Sequence, residues 1–113
     1  MDKTKGQQMK MNTYAVYQLP FDNPKKRDMS FMSAKQIEKI SDEYEVVARI
    51  DARSADEAFR IGNFVCEEDK TLIEIVGEMH SISVGDILLN LTTDTAMVVD
   101  KVGFSKITMK EAA

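Results

Sequence analysis

The residues between positions 79 and 104 hold the side chains of this sequence that are best suited to chemistry. His80, the only histidine, is followed by Ser81 and Ser83 and then by Asp86. Serine, histidine and an acid are the residue types of a hydrolase triad, but the sequence lacks the Gly-x-Ser-x-Gly turn that presents such a nucleophile. The alternative is a polar bend in which Ser83 and Asp86 satisfy backbone amides at a single helical turn. We favour the bend, and we expect that the protein is not an enzyme.

Metal and cofactor sites have little support in the sequence. A lone histidine leaves no second imidazole ligand for a transition metal. Three adjacent acids, Glu67, Glu68 and Asp69, do not have the spacing of a calcium-binding loop. The five glycines form no phosphate-binding loop. We therefore expect no metal and no cofactor.

The charge of the chain is unevenly distributed, which bears on partners rather than on fold. Residues 1–41 carry eight basic and four acidic side chains, whereas residues 42–78 carry eleven acidic and four basic ones. These faces are either simply solvated, or they contact a partner of opposite charge. The candidate partner-binding residues are the densest clusters, namely Glu67, Glu68 and Asp69 together with Lys25, Lys26 and Arg27. Three basic residues on an acidic protein bind phosphates weakly, so we expect no direct binding to nucleic acid.

The cellular location predicted from the sequence is the cytoplasm. Cys66 is the only cysteine and has no internal partner, and the polar N-terminus has no apolar segment behind it. No apolar run reaches the roughly 20 residues of a membrane span, so we expect no membrane association. Translation start at Met1, Met9 or Met11 is left open.

Two capping patterns and several apolar runs predict the secondary structure. Ser33 with Gln36, and Ser54 with Glu57, fit capping boxes that begin two short helices. The second helix is expected to run to Cys66 and to bury this thiol on its apolar face, with Gly62 packed closely against a neighbour. Residues 21–31 are predicted to be a loop. Strands are predicted at 13–19, 44–51, 71–77, 87–91, 96–102 and 104–109.

These elements predict a single small α+β domain over residues 12–109, with a flexible N-terminal tail (1–11) and a polar C-terminal end (110–113). Two short helices are expected to pack on one side of a mainly antiparallel sheet, and closure of that sheet toward a barrel is left open. Gly103 is expected to have a positive φ or a close backbone contact, and Phe104 is expected to be buried.

Two stretches of the chain resemble a known family. The segment "HSISVGDILLNL", followed by "VVDKVGFSKI", is similar to the C-terminal half of YodL-like domains, and "TYAVYQLP" is similar to their N-terminal strand. The resemblance covers roughly residues 12–108. The closing strand departs from the family pattern and keeps only Asp100, Gly103 and Phe104 of it.

The resemblance implies a genetic context and brings no catalytic residues. YodL-like domains occur on plasmids, integrative elements and phages of Firmicutes, often among accessory and anti-defence genes. The resemblance implies a mobile-element protein that inhibits a host defence nuclease by protein–protein binding. A Cas9-type effector is the leading target, which would make the protein an anti-CRISPR, and a restriction enzyme is the second. The alternative is a non-inhibitory structural or regulatory module of the element, as a homodimer or a complex subunit.

Overall fold

The computed structural model describes residues 11–64 and 66–110, which form one α+β domain. The predicted tail at 1–11 lies outside the described residues except for Met11, and so do residues 111–113 at the C-terminal end. The strands are β1 (Asn12–Gln18), β2 (Glu45–Ala52), β3 (Ile73–Ile75), β4 (Ile87–Asn90), β5 (Thr95–Val99) and β6 (Phe104–Ile107), and the helices are α1 (Ala34–Lys39) and α2 (Ala55–Asn63).

The six strands form one antiparallel sheet in the order β3-β2-β1-β4-β5-β6. The sheet is open and is not closed into a barrel, because β3 and β6 do not pair with each other. Its centre is β1, which pairs with β2 on one side and with β4 on the other. The register of β1 and β2 shifts after Val16, so that Val47 has no partner residue in β1.

Alternation along the strands creates two separate apolar cores on opposite faces of the sheet. In β4, Leu88 belongs to the core that contains Ile61 of α2, whereas its neighbour Ile87 belongs to the core that contains Ile37 of α1. The expectation that both helices lie on one side of the sheet is therefore wrong. Each helix covers its own half of the sheet, α2 against β2 and α1 against β6.

Local capping explains where the helices begin. Ser33 Oγ accepts from the Gln36 amide at 3.2 Å and Gln36 Oε1 accepts from the Ser33 amide at 2.8 Å, which confirms the first capping box. Ser54 Oγ accepts from the Glu57 amide at 3.1 Å. The second hydrogen bond of this capping box differs from the prediction. The Glu57 carboxylate accepts from the amide of Arg53 instead of that of Ser54, and it also pairs with the Arg53 guanidinium.

The second helix ends earlier than predicted, and the expected burial of Cys66 is wrong. α2 stops at Asn63, and Cys66 lies exposed just before a 3₁₀ helix, Glu67–Leu72. The close packing of Gly62 is confirmed, since a Cβ there would clash with Ile82 Cδ1 and would lie 3.3 Å from Ile50 Cδ1.

The connections also differ from the prediction in detail. The loop predicted at 21–31 contains two 3₁₀ helices, Pro24–Arg27 and Met29–Phe31. The strand predicted at 71–77 is only three residues long: the preceding 3₁₀ helix extends to Leu72, and the strand ends at Ile75. Gly103 has the expected positive φ, 75°, but Phe104 is only partly buried. No helix within 11–64 or 66–110 is long and apolar enough to cross a membrane.

Candidate functional site

Gln18 joins three parts of the chain at the end of β1, and sequence reasoning missed it. The side chain is 1% exposed and lies on the strand face that Tyr14 and Val16 also occupy. Its Nε2 donates to His80 O at 2.9 Å and to Asp86 Oδ2 at 3.1 Å, while its Oε1 accepts from the His80 amide at 3.2 Å. The available signal was a glutamine that directly follows a run of apolar and aromatic residues, but the sequence does not reveal its partners 62 and 68 residues away.

Asp86 is the most unusual polar residue of the described chain, because its carboxylate is completely buried. Oδ2 accepts from the Ser83 amide at 2.9 Å and from Gln18, but Oδ1 has no hydrogen-bond partner among the described residues. Burial raises the pKa of Asp86 to about 6, against the opposing effects of the Ser83 hydrogen bond and of nearby Lys26 and His80. The Asp86 carboxyl group therefore takes up a proton at a higher pH than an ordinary aspartate does.

The turn that carries Asp86 is fixed from two further sides. The Asp86 amide donates to Ser83 O at 3.0 Å, and Gly85 in between has a φ of 98°, which favours glycine. Tyr44 Oη donates to Gly85 O at 2.5 Å, and burial raises the pKa of this phenol. The predicted polar bend is confirmed for Asp86, although it is a tight turn and not a turn of helix.

His80 contacts the 3₁₀ helix Pro24–Arg27 through Lys26. The Lys26 ammonium donates to His80 Nε2, and His80 Nδ1 lies 2.8 Å from Ser81 O, which requires the proton on Nδ1 in the neutral ring. The Phe21 ring lies 5.0 Å from the His80 ring and 5.5 Å from Lys26 Nζ. Burial lowers the pKa of Lys26, and the negative charge of Asp86 opposes that shift. We call Gln18, Phe21, Lys26, His80 and Asp86 the polar cluster.

The arrangement of the polar cluster does not match a catalytic triad. Neither the Ser81 nor the Ser83 hydroxyl makes a hydrogen bond to His80 within the described residues. His80 and Asp86 are bridged by Gln18 and do not bond directly. A nucleophile paired with its base, which is the geometric requirement of such a site, is therefore not formed by these residues.

The acidic residues predicted to bind a partner fall into two kinds. Asp69 is 8% exposed and its carboxylate pairs with Arg60 Nη1 at 2.9 Å, which lowers the pKa of Asp69. Glu67 and Glu68 are exposed, and Glu67 reaches only Lys70 at 3.3 Å. Asp69 therefore serves the fold, and only Glu67 and Glu68 are available to a partner.

The basic residues predicted to bind a partner are also unequal. Lys25 Nζ pairs with Glu43 at 2.8 Å, and Lys26 belongs to the polar cluster. Arg27 is exposed and has no salt bridge within the described part of the chain. The structure places this triplet and the acidic triplet on separate 3₁₀ helices.

Two grooves on the surface of the described residues lie away from the polar cluster. They lie beside the sheet edges, one along Thr95–Ala96 and residues 106–109 and another along Arg49, Asp51 and residues 71–74. Among residues 11–64 and 66–110, no group of three or more histidine, cysteine or acidic side chains is placed to hold a metal ion. Comparison with protein-family models, with curated proteins and with solved structures finds no match.

Proposed function

We propose that this chain is a mobile-element accessory protein that acts in the cytoplasm and inhibits a host defence nuclease by binding to it. A Cas9-type effector is the first candidate target and a restriction enzyme is the second. The resemblance of residues 12–108 to YodL-like domains supplies the genetic context. The observation that carries the proposed mode of action is one exposed acidic segment at an edge of the sheet.

The acidic segment consists of residues 67–78, which comprise the 3₁₀ helix Glu67–Leu72, the edge strand β3 and three residues that follow it. Its side chains Glu67, Glu68, Glu74 and Glu78 are all exposed. Glu74 lies 3.6 Å from Arg49, but 70% of its side chain remains accessible. Four exposed carboxylates in twelve residues create a local negative field on one side of the domain.

Apolar side chains accompany these carboxylates. Ile75 is 54% exposed, Val76 is 42% exposed, and Phe64 at the end of α2 is 74% exposed. Protein interfaces combine apolar anchors at the centre with a charged rim, and the rim accelerates association while the anchors supply most of the affinity. This mode of binding is better supported than wholesale mimicry of DNA, because the whole chain has nineteen acidic residues and fifteen basic residues that offset them.

The chemistry of the target completes the argument. A Cas9-type effector holds nucleic acid in a positively charged channel. An anionic ligand is steered toward such a channel and competes with the nucleic acid there. Inhibition by this route needs no catalytic residue and no cofactor in the inhibitor.

The test is nucleic-acid cleavage in vitro by purified Cas9-type effectors and restriction enzymes, with and without the protein. A double variant, Glu67→Lys with Glu68→Lys, reverses the exposed charges and leaves the Asp69–Arg60 pair in place. The matched control, Asp22→Lys with Asp28→Lys, makes the same change of charge at two exposed positions outside the acidic segment. We expect the first variant to lose inhibition by at least about tenfold and the control to keep it.

Two results would count against the proposal. Failure to inhibit any tested effector at micromolar concentration would reject inhibition, and concentration-dependent self-association of the same sample would then favour the homodimeric module. Equal inhibition by the wild type and by the Glu67/Glu68 variant would keep the function but reject the acidic segment as the contact surface.

A further inference from the structure

We propose that the two edges of the sheet pair with each other between copies of this chain, so that β3 of one copy adds to β6 of the next and the sheet continues head to tail. The inference does not depend on the proposed function. Within the described residues, β3 and β6 each pair with a single neighbouring strand. The argument uses three properties of these edge strands, namely their direction, the backbone groups that they expose and their charge.

The strand directions allow this pairing. The sheet order contains five antiparallel pairings between β3 and β6, so these two strands run in opposite directions. A second copy that is shifted sideways by the width of the sheet therefore brings its β6 antiparallel to β3, with the two apolar cores on the same faces in both copies. Such a contact joins two different surfaces, so it is heterologous and can add further copies.

The backbone of β3 exposes the polar groups of two residues. Along an antiparallel strand, residues whose N–H and C=O point to the partner strand alternate with residues whose groups point away from it. The Val76 amide donates to Val47 O at 2.9 Å, so Val76 points to β2. By this alternation Glu74 also points to β2, whereas Ile73 and Ile75 point outward. These two isoleucines therefore present two donors and two acceptors at the edge.

The backbone of β6 exposes the polar groups of two residues as well. The Val99 amide donates to Asp86 O at 2.8 Å, so Val99 points to the β4 side and not to its neighbour in β6. That neighbour is Phe104, and the alternation turns its N–H and C=O outward. The same holds for Lys106, two residues further along the strand. Both edges of the sheet thus have two residues whose backbone groups face away from the domain.

These groups select one register. The next amide on this side of β6, that of Thr108, is already bonded at 2.6 Å to a carboxylate of α1. Both outward residues of β3 therefore reach open partners in β6 only when Ile75 lies opposite Phe104 and Ile73 lies opposite Lys106. Ile73 and Phe104 pack against the same core, the one on the α2 side of the sheet. The paired side chains consequently lie on one face, as cross-strand pairs do.

The two edges carry opposite charge. The exposed acids at the first edge are Glu74 and Glu78, and the exposed bases at the other are Lys101, Lys106 and Lys110. Pairing of β3 with a second β3, or of β6 with a second β6, would bring like charges together, which is destabilising across strands. Pairing of β3 with β6 places the glutamates beside the lysines. The charges therefore favour a head-to-tail arrangement over a two-fold dimer.

The experiment measures the weight-average mass by analytical ultracentrifugation from micromolar to millimolar protein. The mass of the wild type should rise with concentration past that of a dimer, and added salt should weaken the association. Ile75→Pro and Lys106→Pro each remove one outward N–H, which a sheet edge tolerates. Each variant alone should stay monomeric. Their equimolar mixture keeps one intact β3 and one intact β6, so it should form a dimer and nothing larger.

A second pair of variants covers the case in which a proline variant does not unfold cooperatively in urea. Glu74→Lys and Lys106→Glu each place like charges at the contact, so each alone should associate less than the wild type. Their mixture restores opposite charges at the contact and should associate more than either component. Lys35→Glu makes the same change at an exposed lysine of α1 and should behave as the wild type does.

Three results would overturn the proposal. They are a wild type that stays monomeric at millimolar concentration, a proline variant that still dimerises alone, as a two-fold dimer would, and a mixture that associates no more than its separate components. Lys106 lies outside the acidic segment, so cleavage assays with Lys106→Glu test the proposed function separately from self-association.

Discussion

Replacing Asp86 by asparagine should remove a specific pH dependence from the stability of this protein. The carboxylate is fully buried, and its pKa is raised from 3.8 to about 6 because burial disfavours the ionised form. The folded state therefore binds this proton more tightly than the unfolded state does. The stabilisation that comes from protonating Asp86 is complete below the pKa of this group in the unfolded chain. It is lost as the pH rises through the pKa of Asp86 in the folded protein.

The size of the effect follows from the shift itself. A shift of roughly two pKa units corresponds to about 3 kcal/mol between the fully protonated and fully ionised limits. Between pH 8 and pH 5 only part of this range is crossed, which gives about 1.4 kcal/mol of added stability at the lower pH. Asparagine cannot ionise, so the difference in free energy of unfolding between the wild type and Asp86→Asn should change by that amount.

The assay is urea denaturation of both proteins at half-unit steps from pH 8 to pH 5. The absolute stability of the variant at pH 8 depends on two opposing terms, because the removed charge favours folding while an amide at the unpartnered Oδ1 position is a buried donor without an acceptor. These two terms do not affect how the difference in free energy of unfolding between the two proteins changes with pH. Asp28→Asn, at an exposed carboxylate, is the control and should follow the wild type. Parallel curves for the wild type and Asp86→Asn would refute the reasoning.

Three further predictions concern the fold. Gly85→Ala should lower the free energy of unfolding, measured in urea, more than Gly103→Ala does. Both glycines have a positive φ, which costs an alanine roughly 1 kcal/mol, but only at Gly85 would the added Cβ also lie 3.0 Å from a backbone oxygen. Equal losses in the two variants would contradict this. Asp69→Asn should lower the denaturation midpoint and Glu68→Gln should leave it unchanged, because only the Asp69 carboxylate pairs with a guanidinium; equal midpoints for the two variants would contradict this. Cys66 should react completely with a maleimide reagent in the native state, because its thiol is exposed. The Asp69 carboxylate raises the pKa of this thiol, so the reaction should be slow near pH 7. A thiol that reacts only in urea would contradict the exposed position.

Features set by nearby residues could be predicted from the sequence. The starts of both helices follow from Ser33 and Ser54, whose hydroxyls accept amides only three residues away. The end of α2 could not be predicted in the same way, since the apolar spacing continues through Val65 and Cys66 while the helix stops at Asn63. Apolar spacing is a necessary feature of an amphipathic helix, but it does not by itself fix where the hydrogen bonds end.

The candidate site depended on distant residues, and there the sequence was less informative. His80 and Asp86 were recognised as noteworthy polar residues, but the bridge between them is Gln18, which meets them only when β1 pairs with β4. The sequence treats Lys25, Lys26 and Arg27 as equivalent, either solvated or in contact with a partner, whereas in the structure Lys26 is the one of the three that contacts His80. Such pairings are set by sheet register, which is a property of the whole fold.

The strand order has a consequence for synthesis on the ribosome. β1 is made first, but its neighbour β4 begins at Ile87, and the core around Ile37 also needs Ile107 from β6. Chain elongation adds about 5–20 residues per second, so Leu19 and Met29 must wait for seconds before their partners are made. The α2 side of the sheet can begin to assemble with β1 and β2 during that time, whereas the α1 side closes only when the last strand has left the exit tunnel. The nascent chain therefore carries an exposed apolar face until β6 has been made, and this face is the part of the protein that a ribosome-bound chaperone would cover.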